Sequence, residues 1–206
     1  MNKSIKAIVF DFGGVIELFT GGSAPAIISD FLNVPKSEFL KEYFKHNHLC
    51  NAGNMSWKDV ILKTVSFFDD TEETRNKVLL LIEESDAKKK INLELLDVIV
   101  KLRQSGLKVA IFSNAKSNDL REKLDAHKMD ELFDEIIISE EIGFQKPHKE
   151  AFDVLFEKLN VEPQEVIFID DSPKSLEKAE EIGYHPVLFK NNEQLMDDLK
   201  NLGILI

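Results

Sequence analysis

Cysteine is nearly missing from this chain: Cys50 is the only one in 206 residues. An intramolecular disulfide is therefore excluded, and the composition suits a reducing compartment, so a cytoplasmic protein is expected. Long apolar runs are missing too. No stretch approaches the ~18 residues of a membrane-spanning helix. Asp11 interrupts the apolar segment near the N-terminus, so neither a signal peptide nor a membrane partner is expected. Positive charge is in deficit, with 26 Lys and Arg against 37 Asp and Glu, a net charge of −11. That balance argues against nucleic acid or an anionic membrane surface as the main partner. It also means that a bound phosphate needs local help from a metal, a lysine or backbone N–H groups. Repeats and low-complexity linkers are absent as well.

What is present is apolar content of 43%, enough for a sizeable core. The length exceeds the ~100–150 residues of a common single domain, so one domain with a large insertion, or two small ones, is expected. The chain opens with a strand-like run, Ile5 to Phe10, that stops at Asp11 and is followed by Gly13 and Gly14. From residue 18 to about 90 the pattern holds no convincing strand but several helices. One covers about Ala24 to Leu32 and is broken by Asn33-Val34-Pro35. A second, with Ser37 as its cap, carries Phe39, Leu40, Tyr43 and Phe44. A third follows Ser56, with Asp59 as a capping-box partner. A fourth follows Thr71, with Glu72 and Glu73 suited to its positive end.

From Ile91 onward strands and helices alternate. Strands are expected at Lys108–Phe112, Ile136–Ile138, Val166–Ile169 and Pro186–Phe189. Helices are expected at 93–105, 120–127, 148–159, 176–182 and 195–202. Strands apolar on both faces and separated by helices argue an α/β fold, with a doubly wound parallel sheet covered on both sides. The expected division is a sheet domain of residues 1–17 and 91–206 with an inserted helical bundle at 18–90. Asp86 to Lys90 serves as the hinge back.

The strand ends carry the chemistry. The first stops at Asp11, the second runs into Ser113-Asn114, and a later one into Asp170-Asp171-Ser172. Strands of a parallel sheet point one way, so these groups converge on one edge, where such sheets bind ligands. Gly143-Phe144-Gln145-Lys146-Pro147 adds a lysine, with proline at a position suited to a helix start. Three clustered carboxylates repel one another unless protonated or bridged by a cation, and hard oxygens beside a phosphate suit Mg²⁺. With Lys146 and Ser113 stabilising the phosphoryl oxygens, a carboxylate can attack phosphorus to give an aspartyl-phosphate.

Asp11, Ser113-Asn114, Lys146-Pro147 and Asp170-Asp171, in this order and spacing, resemble the four motifs of the haloacid dehalogenase-like hydrolases. The helical insertion resembles that family's α-helical cap on a Rossmann-like core. The resemblance implies a Mg²⁺-dependent phosphomonoesterase acting on a small phosphorylated molecule. By it, Asp11 is the nucleophile, while Ser113, Asn114 and Lys146 bind phosphate. Asp11, Asp171 and the backbone carbonyl of Gly13 ligate the metal, and Asp170 supports the metal or orients Lys146. One position departs from the pattern. Phosphatases of the family usually carry an aspartate two residues after the nucleophile, where this chain has Gly13. Such acid–base help is typically worth ~10²–10⁴-fold. The Asp-Phe-Gly-Gly-Val wording is similar to the branch containing bacterial sugar-1-phosphate phosphatases, which also lacks it. An anomeric leaving group needs less acid assistance. Gly13 equally suits a weakly active or non-catalytic member that binds a phosphorylated ligand or a protein partner.

Other features are expected to be structural. His46, His48 and Cys50 alternate on a helix and point away from one another, so a metal site is not expected, the alternative being a loop of the insertion that faces the pocket. Trp57 is expected in the core of the insertion, Gly21-Gly22 as its entry hinge, and Asp69 to Glu73 as a solvated helix start. Nothing in the sequence sets the oligomeric state.

Overall fold

A computed structural model describes residues 4–51 and 55–205, with side chains omitted for 47–51. Two compact units emerge, one of residues 1–18 with 91–206 and one of residues 19–90.

The first unit is built on five parallel strands. These are β1 (Ala7–Phe10), β4 (Lys108–Ser113), β5 (Glu135–Ile138), β6 (Val166–Asp170) and β7 (His185–Leu188), in the order β5-β4-β1-β6-β7. β1 pairs with β4 and β6 in one register: Phe10 lies opposite Ile111 on one side and Ile169 on the other. Alternate side chains of each strand enter two separate cores. Ile8, Phe10, Ile111 and Ile169 face one layer, and Ala7, Val9, Phe112 and Phe168 face the other. Helices α5 (Leu93–Gln104), α6 (Ser117–Ala126) and α11 (Asn192–Asn201) cover the first layer through Leu95, Ile99, Leu120, Leu124, Leu195 and Leu199. Helix α8 (Lys149–Leu159) covers the second through Phe152, Leu155 and Phe156. Burial on both faces explains why the strands read as continuous apolar runs.

After β5 the chain crosses back over β1 to place β6 and β7 on its other side. Strand order therefore reverses beside β1, and the crevice at its C-terminal end is where Asp11 stands. Backbone bonding holds that point: the Asp11 N–H donates to Ile169 O at 2.8 Å.

The second unit contains α1 (Ala24–Phe31), α2 (Lys36–Asn51), α3 (Trp57–Phe68) and α4 (Glu72–Asp86). Its core is Ile28, Phe39, Ile61, Val65, Val78 and Ile82, with Trp57 partly buried against it as expected. Ser56 and Asp59 form the expected capping box, and Thr71 accepts from Thr74 N–H at the start of α4.

Several expectations are corrected. Two strands frame the insertion, β2 (Glu17–Phe19) and β3 (Lys89–Ile91), and they pair with each other. Each has three residues, too few for a side-chain period, and Lys89 and Lys90 are polar. Ser37 is not the cap of α2, because Lys36 is already helical and the Pro35 carbonyl accepts from Glu38 and Phe39. Pro147 does not open α8, which starts at Lys149 after a His148 cap. The single helix expected over 176–182 is two short ones, α9 (Pro173–Leu176) and α10 (Ala179–Ile182). They are separated at Lys178, whose φ of −102° and ψ of 13° lie off the helix. Gly183 closes α10 in a left-handed conformation. The remaining label, α7, is Ser139–Ile142, a single turn after β5.

Candidate active site

Asp11 follows the last residue of β1, Ser113 ends β4, and Asp170 ends β6. The fold thus places the three strand-end groups side by side in adjacent strands. Lys146 arrives from the loop between α7 and α8 and is inserted among them with its side chain 2% exposed.

The ammonium of Lys146 has three N–H groups and three acceptors. Its Nζ donates to Asp170 Oδ2 at 2.6 Å and to the Phe112 carbonyl at 2.9 Å, and it lies 3.0 Å from Asp11 Oδ1. Burial opposes its charge, but Asp11 and Asp170 outweigh burial and hold it protonated above the usual lysine range. Asp11 shows the converse balance. Burial pushes its carboxyl up, to about 7; Lys146 pulls it down, and Asp170 and Asp171 add to the rise. One lysine therefore does not neutralise the cluster.

Each carboxylate has a distinct setting. Asp11 Oδ1 also accepts from the Phe12 N–H at 2.7 Å. Both oxygens of the fully buried Asp170 are engaged, Oδ2 by Lys146 and Oδ1 by the Ser172 N–H at 2.8 Å. Asp171 is solvent-exposed, yet it approaches the loop after β1 closely. Gly14, at φ +84°, makes room: a Cβ added there would lie 2.3 Å from Asp171 Oδ2. The loop is otherwise closed on itself by Gly14 N–H to Glu17 O at 2.7 Å and a bridge between Gly13 and Glu17. Glu17 is fixed in turn by Lys123 of α6, at 2.7 and 2.8 Å.

Oxygens of Asp11, Asp170 and Asp171 lie within 4.8 Å of one another, the one such cluster among the described residues. Three acidic groups around one lysine, with Asp11 driven toward protonation, form a donor set that a hard divalent cation fits. The cradle that only a residue without a Cβ leaves open at position 14 supports the same fit.

Ser113 is buried at the crevice end of β4. Asn114 is exposed, and its carboxamide is turned to the backbone of Lys146. Its Oδ1 accepts from the Lys146 N–H at 2.9 Å, and its Nδ2 donates to the Lys146 carbonyl at 3.0 Å. His46 sits 3.3 Å from Glu42 on α2. The side chains of His48 and Cys50 lie outside the described residues.

A sequence profile of the haloacid dehalogenase-like hydrolases matches residues 8–189. The chain belongs to that family. Among its relatives, the bifunctional epoxide hydrolase 2 of Sus scrofa is 25% identical over 97% of this chain, which spans only 39% of that protein's length. A phosphorylated carbohydrates phosphatase of Thermotoga maritima is 21% identical, over 87% of this chain and 82% of its own. Of solved structures, the HAD-hydrolase YfnB of Bacillus subtilis, bound to magnesium, superimposes with a TM-score of 0.63. It is 20% identical, and the alignment covers 98% of this chain and all of that one. That likeness shows a shared fold.

The loop glycines, the strand-end carboxylates and Lys146 were all visible in the sequence. The Phe112 carbonyl and the Phe12 and Ser172 N–H groups were not, because backbone groups leave no residue-type signal. The Glu17–Lys123 pair, 106 residues apart, had none either.

Proposed function

We propose that this haloacid dehalogenase-like hydrolase is a phosphomonoesterase that works through an aspartyl-phosphate on Asp11. The observation that carries the reading is the setting of Asp11. It is a strand-end carboxylate with Oδ1 held by Phe12 N–H and Lys146, which orients the other oxygen for attack. In the reaction Asp11 Oδ2 bonds to phosphorus as the ester oxygen departs, and water then cleaves the acyl phosphate to restore Asp11 and release phosphate. Lys146 keeps a fixed positive charge beside the transferring group, and Ser113 donates a hydrogen bond to its oxygens. Asp170 belongs with Lys146, since both its oxygens are engaged without a metal. Asp11, Asp171 and the Gly13 carbonyl are the residues that would hold Mg²⁺. When bound, the ion neutralises phosphoryl charge and allows Asp11 to stay ionised at neutral pH.

Gly13 narrows the substrate. No carboxyl stands there to protonate a leaving alkoxide, which favours esters whose leaving group needs little help. A sugar 1-phosphate fits that requirement, and the name of the Thermotoga relative supports the broader class of phosphorylated carbohydrates. The experiment is a panel of sugar 1-phosphates, sugar 6-phosphates and p-nitrophenyl phosphate, assayed with Mg²⁺ and with excess chelator. Phosphate release that needs Mg²⁺ and is greatest for the 1-phosphates and the aryl ester is expected. Full activity in chelator would remove the metal role. Turnover of none of the panel would favour the second reading, a phospholigand-binding protein that has lost catalysis along with the acid at position 13.

A further inference from the structure

Lys146 is anchored at both ends to the same strand end. Its Nζ reaches the carbonyl of Phe112, the residue before Ser113. Its own peptide N–H and C=O are both held by Asn114, the residue after Ser113. A primary amide paired with the N–H and the C=O of one residue mimics a strand neighbour, and it sets both the position and the rotation of that residue's backbone. The lysine stem is long and has four rotatable bonds, so a fixed root is what allows its tip to reach Asp11 and Asp170 together.

We infer that Asn114 is a positioning residue for Lys146, its carboxamide oriented by that residue's backbone. The carboxamide has one acceptor face and one donor face directed at Lys146. Oδ1 and one of the two Nδ2 N–H groups are spent on Lys146, so that residue's backbone sets the orientation of the carboxamide. Lys146 is 2% exposed and its three donors are matched to three acceptors, so a small shift of its root breaks at least one of those bonds. The catalytic consequence rests on the phosphatase reading above. The anchoring itself does not, and it is tested separately.

The first test reads Lys146 with no reference to activity. The intact protein, as wild type, Asn114→Ala and Asn114→Asp, is treated with limiting acetic anhydride, and the adduct at Lys146 is quantified by mass spectrometry against an exposed lysine such as Lys149. Wild-type Lys146 should be protected. Asn114→Ala should raise its labelling by about tenfold or more, a separation typical of coupled groups. Asn114→Asp keeps the acceptor for the Lys146 N–H but turns the other oxygen against its carbonyl, so it should fall between. Variants labelled no faster than wild type, with cooperative thermal unfolding retained, would overturn the inference. Should Asn114→Ala fail to fold, Asn114→Asp carries the same comparison.

The second test is a double-mutant cycle on kcat and KM with the best substrate of the panel. Asn114→Ala should lower kcat by ~10²-fold, as a misplaced catalytic group does, with KM little changed. In a Lys146→Met background the same change should cost little more, because the group it positions is gone. Inorganic phosphate binding, measured by calorimetry, supplies the same cycle if turnover is too slow. An equal loss of phosphate affinity from Asn114→Ala in both backgrounds would identify Asn114 as a direct ligand and overturn the inference. A protein without phosphatase activity whose Lys146 is still exposed by Asn114→Ala would remove the proposed function and leave the positioning role standing.

Discussion

The two units use carboxylates in opposite ways. In the helical unit of residues 19–90, polar groups end helices: Asp59 completes a capping box, and Asp69 accepts from Thr71 and Thr74 before α4. In the sheet unit, three carboxylates and a buried lysine converge beside three strand ends, a costly arrangement for folding alone. Apolar burial holds the helical unit together, with Phe39 stacked on Phe68 at 6.0 Å. The lesson is that a carboxylate standing alone at the start of a helix serves to cap it, whereas carboxylates gathered at one sheet edge carry a charge density that folding by itself does not call for.

That contrast can be broken most sharply at Asp11. Asp11→Asn keeps the volume but cannot form an acyl phosphate, so phosphate release should fall below detection while the protein stays folded. Turnover at even a tenth of wild type would make Asp11 a structural carboxylate like Asp59. The matching change in the other unit is Phe39→Ala, which removes a fully buried ring. It should cost ~3–5 kcal/mol in urea unfolding followed by helix signal. A loss below 1 kcal/mol would mean that the four helices do not share one core.

Gly14→Ala combines both kinds of effect. A left-handed backbone costs a non-glycine residue ~1–2 kcal/mol, and the new methyl meets the Asp171 carboxylate. Lower thermal stability and a Mg²⁺ affinity weakened by about tenfold or more are expected, the latter as for a displaced ligand. Unchanged Mg²⁺ titration calorimetry would place the ion away from Asp171.

The pH dependence of that affinity follows from Asp11. Above its pKa of about 7 the carboxylate is already ionised and affinity should be flat. Below it a proton must leave for each ion bound, so affinity should fall by up to about tenfold per pH unit. Calorimetry between pH 5.5 and 8.5 that shows no bend would separate the ion from Asp11.

The smallest expected effect is at Gly13. Its loop's left-handed residue is Gly14, so an aspartate at 13 meets no strain from positive φ. Gly13→Asp should raise the ratio of kcat/KM for an alkyl phosphate over p-nitrophenyl phosphate, because only the alkyl leaving group needs a proton. A folded, Mg²⁺-binding variant with an unchanged ratio would show that another group already supplies it.

The sequence alone determined the parallel sheet, the helical insertion and the identity of the polar side chains gathered at the strand ends. Strands buried on both faces must be apolar throughout, so Asp11, Ser113 and Asp170 stood out as the residues ending such runs. Capping is equally local, and Ser56 and Thr71 were legible for that reason. Only the tertiary structure decided how these residues divide their work. Asp170 is committed to Lys146, Asn114 holds the lysine's backbone, and Gly14 admits Asp171, through contacts spanning 24, 32 and 157 residues, the last being 171 − 14. Those assignments depend on donor and acceptor counts around one buried ammonium, and on a Cβ that would occupy a carboxylate's place. Such quantities exist only when distant strand ends have been brought together.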